Sequence, residues 1–246
     1  MQPWEYPVPP ILYKFLPPER LHVLTECRIR FSQRTAFEDD HELQPDYAIF
    51  GTEAEVKKFA RSQSIPLSGR GLPANTAMAF AGDPRLQKLA IENLQRNTTV
   101  KDELGVFCLT ETNECDQMWT EYGDKEKGFV IGFNTTHSGF DKLKTPGRLG
   151  KVSYSDVPFG SALGAFENDG AGIMFRKRMK YAYEKEWRTI RLLKRLECRA
   201  NGIFLSPFDP ASVCEIIIRR HCAVVSELQQ LSATDPRYQH VKMRNE

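Results

Sequence analysis

The sequence predicts an α+β fold, a bent or split, mostly antiparallel sheet with surrounding helices. Short apolar or alternating runs recur along the 246 residues, bounded by Gly, Pro and charged residues. Helical patterns are short and scattered between them. No internal repeat, low-complexity tract or clean linker divides the chain, so a single domain is expected over 1–246. It carries a proline-rich arm at 1–10 and a polar tail at 235–246. With 41% hydrophobic and 27% charged residues, a sizeable core is within reach.

The elements follow in order. Pro3 to Pro10 holds four prolines in eight positions and excludes regular structure. Ile11–Phe15 reads as a strand stopped by Pro17-Pro18, and Pro18 opens a helix running to about Cys27. Ile29–Ser32 alternates as a half-buried strand does. Thr35–Tyr47 is acidic and irregular, Glu53–Ser62 is helical, and Pro66–Pro73 is a loop. Asp83 caps a helix with Pro84 at its first position and apolar residues on one face. Val106–Thr110 is a buried strand, followed by a short helix from about Asn113 that Gly123 ends. Gly128–Phe133 and Lys151–Tyr154 are strands, and Gly160–Gly172 is a glycine-rich excursion. Met174–Glu184 is expected as a helix with a basic face of Arg176, Lys177, Arg178 and Lys180, Glu186–Leu192 as a strand. Phe204-Leu205 and Val213–Arg219 are strands, Val224–Leu231 is a helix, and 235–246 ends in a last strand or a loose tail.

A net charge of +2 implies no whole-protein field able to grip nucleic acid. The six cysteines include no C-x-x-C pair, which argues against a zinc ribbon or a thioredoxin-type site. No secretory signal pattern opens the sequence, so a cytoplasmic location with reduced thiols is expected. No apolar run approaches the roughly 20 residues needed to span a bilayer. Phosphate-binding, nucleophile-elbow, zinc-protease and dinucleotide motifs are absent.

Three constellations remain. Glu184 and Glu186 fall on one face if Glu186 opens a strand, and Trp187 and Ile190 make that strand border the core. The ordinary reading is a solvated edge. The functional one is a carboxylate site that stabilises developing positive charge. Arg188 shares their face and is placed to hold Glu186 ionised. Trp119 and Tyr122 share a helix face, more commonly core than a stacking platform, and Thr110 ends the preceding strand as a turn cap or a ligand contact. Arg176–Lys180 with Tyr181 and Tyr183 is a solvated basic face or a phosphate contact. The acidic run Asp39, Asp40, His41, Glu42 offers groups suited to a divalent metal.

Ordered motifs resemble a bacterial family known as domain of unknown function 2971. Leu12-Tyr13-Lys14-Phe15 resembles its opening strand, and Ile29–Ser32 with Phe37–Glu42 its next stretch. Phe107–Thr110, Met118–Gly123 and Lys127–Phe129 resemble its central core. Tyr183-Glu184-Lys185-Glu186-Trp187-Arg188 resembles the most specific motif of the set. The order of elements is also similar, more distantly, to ADP-ribosyltransferases. That resemblance implies NAD as co-substrate and no metal. It implies catalytic Glu186, Glu184 and Tyr122, with Tyr13, Lys14, Thr110, Trp119 and Arg188 on the cofactor side. It implies transfer to a protein or nucleic-acid acceptor, away from membranes. The rival expectations are a non-catalytic binding or regulatory protein of a mobile-element or phage-defence system, and a metal-dependent nuclease.

Overall fold

A computed structural model describes residues 1–37, 43, 47–56, 58, 83–96, 103–144, 147–163 and 174–246. The sequence expectations for 38–42, 44–46, 59–82 and 164–173, including the acidic run and two loops, lie outside the described residues.

Among the described residues, seven strands form one sheet. Their order is β14 (Lys242–Asn245), β13 (Val213–Ile218), β5 (Phe129–Asn134), β1 (Ile11–Leu16), β4 (Leu104–Thr110), β10 (Glu186–Leu192) and β6 (Leu149–Lys151). All these neighbours pair antiparallel except β13 and β14, which run parallel. A smaller sheet joins β2 (Arg28–Phe31), β12 (Phe204–Pro207) and β11 (Glu197–Cys198), and β3 (Tyr47–Ile49) pairs with β8 (Phe159–Ser161). The expected mixed α/β architecture with a mostly antiparallel sheet is present.

Alternation assigns the two faces of the large sheet. Leu12, Phe107, Phe129, Ile131, Phe133, Trp187 and Ile216 point to one side and form the main core. Phe133 contacts Phe107, Phe140 and Phe208 with ring centroids 6.4, 6.1 and 5.6 Å apart. Each such side chain taken fully from water contributes about 1.5–3 kcal/mol. Phe15, Val130 and Ile217 point to the other side, where Met118 and Trp119 of the helix Asp116–Glu121 cover them. Trp119 meets Phe15 edge-on at 5.2 Å.

Several local expectations need correction. Residues Met174–Glu184 are not one helix. Arg176–Lys177 is a short strand, β9, parallel to β7 (Ser153–Tyr154), and Met179–Glu184 is a 3-10 helix. Extended backbone there lets the Ser153 and Ser155 amides bond the Phe175 and Lys177 carbonyls, at 2.8 and 3.0 Å. Gly123 does not end its helix in the left-handed region. A Cβ there would lie 2.7 Å from the Trp119 carbonyl oxygen, and the left-handed residues are Asp124, Lys125 and Glu126. The C-terminal stretch ends as β14, and Tyr238, fully buried, donates its hydroxyl to the Leu24 carbonyl at 2.6 Å. The Asp83 cap holds, with its carboxylate accepting the Arg85 amide at 2.8 Å.

The feature that positions the site is a gap in the large sheet. Among the described residues, β1 and β4 meet only at Tyr13–Thr110, while the far end of β4 bridges to Ser32 through Val106. Between these two points β1 has diverged. The Cys108 carbonyl faces the gap, and Lys14 crosses it to donate to that oxygen at 3.0 Å. The bond meets the requirement that an interior carbonyl find a partner.

Candidate functional site

A cleft of about 220 Å³ opens over this gap, lined in part by Tyr13, Lys14, Cys108, Thr110, Met118, Tyr122, Lys177, Glu184 and Glu186. Tyr13, Thr110 and Glu186 stand directly opposite one another on β1, β4 and β10. They therefore share the side of the sheet that faces Met118. Lys14, one residue on, points to the opposite side and reaches the cleft only through the gap.

Glu184 and Glu186 converge by a route that strand alternation does not provide. Glu184 ends the 3-10 helix, Lys185 takes a left-handed conformation at φ 43°, and Glu186 opens β10. Both carboxylates are almost wholly buried. Lys177 reaches between them, with Nζ 2.7 Å from Glu184 and 3.6 Å from Glu186. Tyr122 donates its hydroxyl to Glu184 at 2.7 Å. The residue as a whole stays 40% exposed, so one residue links the buried carboxylate to the surface. Arg188 grips both oxygens of Glu186, from Nε at 2.7 Å and Nη2 at 2.9 Å.

These surroundings drive the two carboxylates apart. Burial, and then the negative charge of Glu186, push the Glu184 carboxyl up to about 7. Burial would raise Glu186 as well, yet Arg188 and then Lys177 hold it well below the usual carboxylate range. Tyr122 is pushed upward by burial and by Glu184, so it remains a hydroxyl donor. Tyr13 is raised to about 12 by burial and its bond to Glu215 at 3.0 Å. The arrangement can hold one fixed negative charge beside one carboxyl that exchanges a proton near neutrality.

The structure gathers Glu184, Glu186, Tyr122, Tyr13, Lys14 and Thr110 at one cleft. Thr110 also serves a turn, its hydroxyl accepting the Thr112 amide at 3.1 Å. Trp119 and Arg188 do not line the cleft. Trp119 is fully buried, with Nε1 bonded to the Asn113 carbonyl at 2.7 Å, and the Arg219 guanidinium lies 4.9 Å from its ring centre. Arg188 lies fully buried behind Glu186, its Nη1 bonded to the Met174 carbonyl at 3.0 Å. Sequence reasoning missed Lys177, because a run of four cations looks like a solvated helix face. The usable signal was the E-x-E itself, since two buried carboxylates require a cation. Among the described residues, no group of three or more His, Cys, Asp or Glu is placed to hold a metal ion, and no helix is long and apolar enough to cross a membrane.

Fold and site together define a mixed α/β protein with a buried carboxylate pair at a break in its sheet. Residues 118–189 match the family described as Protein of unknown function (DUF2971), and over that stretch the resemblance read from the motifs is supported. The chain matches no curated protein and no solved structure. The matched stretch contains Tyr122, Lys177, Glu184, Glu186 and Arg188, whereas Tyr13, Lys14 and Thr110 on the opposite wall lie outside it.

Proposed function

We propose that this protein transfers the ADP-ribosyl group of NAD to a protein or nucleic-acid acceptor. The observation that carries the reading is a carboxylate pair, bridged by one ammonium in one cleft, whose proton affinities are driven apart. Glu186, ionised and fixed by Arg188, faces the positive charge that develops on the ribose as its bond to nicotinamide breaks. The bonding electrons leave with the nicotinamide nitrogen, so that step needs no acid. Glu184 takes the proton of the acceptor group that attacks the ribose carbon, a task suited to a pKa near 7. Tyr122 orients Glu184. Tyr13, Lys14 and Thr110 border the substrate on the other wall.

One observation favours a second reading. Arg188 occupies both oxygens of Glu186, as a purely structural pair would, which fits a binding or regulatory protein that keeps the scaffold. Nicotinamide release from NAD separates the two. The transferase reading expects release by the wild type and a loss of about a hundredfold or more in Glu186→Gln. Glu184→Gln should bind NAD and lose the rate limb that titrates near neutrality. Undiminished release in Glu186→Gln would refute the assignment. No release by wild-type protein would leave the binding reading.

A further inference from the structure

A second cleft, of about 500 Å³, lies beside the first, and Lys14, Phe15, Ser32 and Tyr122 line both. Its arginines fall into two groups. Arg28 pairs with Glu197 at 3.2 Å, and Arg199 pairs with Glu26, so both charges are answered. Arg20 and Arg30 line the same cleft with no carboxylate partner among the described residues. Both are half-buried. Arg30 lies on β2 between Ile29 and Phe31, which are turned into the core. Its own side chain is thereby directed to the cleft side, opposite Leu205 on β12. Burial, and then the neighbouring charge of Arg20, lower the pKa of Arg30. Two like charges held in one cleft, partly out of water and with no carboxylate in ion-pair contact among the described residues, oppose folding. An anionic ligand would account for their retention.

We infer that Arg20 and Arg30 form a phosphate-binding subsite for a nucleoside-diphosphate type of ligand that extends along the wall shared by both clefts to Glu184 and Glu186. Guanidinium forks match phosphate oxygens in pairs, and two unpaired forks suit two phosphoryl groups. Glu19, Glu26 and Glu121 also line this cleft. They would repel a long polyanion tracking across it, so the site favours a small ligand over a nucleic acid. The far end of the ligand rests on the proposed glycosidic chemistry, whereas the phosphate subsite stands on the two arginines alone.

The test is calorimetric titration of inorganic pyrophosphate into the full chain at low salt. The wild type should bind it, and Arg20→Gln or Arg30→Gln should each weaken binding by about tenfold or more. Lys242→Gln, which removes one exposed positive charge outside both clefts, should bind within about twofold of wild type. Neither arginine variant should melt lower than wild type, because each relieves a repulsion. Equal affinity in wild type and in the double arginine variant would overturn the subsite, as would no binding by the wild type. Arginine-dependent pyrophosphate binding without nicotinamide release keeps the subsite and rejects the transferase. Nicotinamide release with pyrophosphate binding indifferent to both arginines does the reverse.

Discussion

Replacing Glu186 by Gln tests the buried ion pair at the head of β10. Arg188 is fully buried and uses two nitrogens on the two Glu186 oxygens, at 2.7 and 2.9 Å. Gln keeps the volume but offers one oxygen and turns an NH₂ toward a guanidinium N–H. Arg188 then retains the Met174 carbonyl at 3.0 Å but no bidentate carboxylate. Removing one partner of a buried pair costs roughly 3–5 kcal/mol. The surviving carbonyl bond, and the anchoring of Lys177 on Glu184, place Glu186→Gln near the lower end, at about 3 kcal/mol. For a chain of this length that corresponds to a melting temperature lower by about 6–12 °C. Arg188→Met alone leaves Glu186 with Lys177 at 3.6 Å and should cost less, about 2 kcal/mol. The double variant removes both charges and retains apolar volume, so it should recover to within about 1–2 kcal/mol of wild type. Urea unfolding of the four proteins gives the coupling energy, expected at about 2 kcal/mol or more. Additive losses, with the double variant worse than either single one, would refute the reasoning. The double variant also supplies a folded protein without the Glu186 carboxylate for the nicotinamide-release assay.

Two further outcomes follow from the same structure. The Glu184 carboxyl titrates above its ordinary value, so the folded chain keeps a proton that the unfolded chain gives up between about pH 4.5 and 7. Its contribution, on the order of 3 kcal/mol, is fully present below that window and lost as pH rises through it; a wild-type minus Glu184→Gln difference in unfolding free energy that stays flat from pH 5 to 7.5 would contradict this. Gly128→Ala would place a Cβ 2.1 Å from the Leu16 carbonyl oxygen, where backbone must move, so a loss of about 2–3 kcal/mol is expected by urea unfolding. Gly160→Ala, with nothing within 4 Å of the added carbon, is the control and should fall within about 0.5 kcal/mol of wild type.

The strands that hold the site were legible because apolar runs or a clean alternation of apolar and polar residues lie between clear stops. β10 falls at Glu186–Leu192 as expected, β1 runs one residue further, and β5 is displaced by one residue at both ends. The helix Asp116–Glu121 starts later than expected because Asn113 spends its carbonyl on the Trp119 indole. What the sequence could not reveal depends on contacts between distant segments. Periodicity reports which side chains face away from water within one element, and Lys177 faces inward because of Glu184 and Glu186, seven and nine residues on. The smallness of Gly128 is likewise required by a carbonyl of β1, which no local pattern encodes. Trp119 illustrates the opposite case. The statistical expectation that an aromatic helix pair is core held for Trp119, while Tyr122, one turn later, serves both the surface and Glu184.

Formal charge explains why the carboxylates need not behave alike. With both ionised, Glu184 and Glu186 are balanced by Lys177 and Arg188, and the cluster is neutral. Among these four groups, protonating Glu184 leaves a net positive charge, and protonating Glu186 would do the same while taking the bidentate carboxylate from the fully buried Arg188. The second choice is far costlier, so the exchangeable proton resides on Glu184. Whatever enters the cleft then acts on that proton. A group that gains positive charge there favours ionised Glu184, and a group that gains negative charge favours the protonated form. Lys177 sets the balance because it is the cation common to both carboxylates, and Tyr122 carries the consequence outward, since its hydroxyl bonds Glu184 while the residue is partly exposed to solvent.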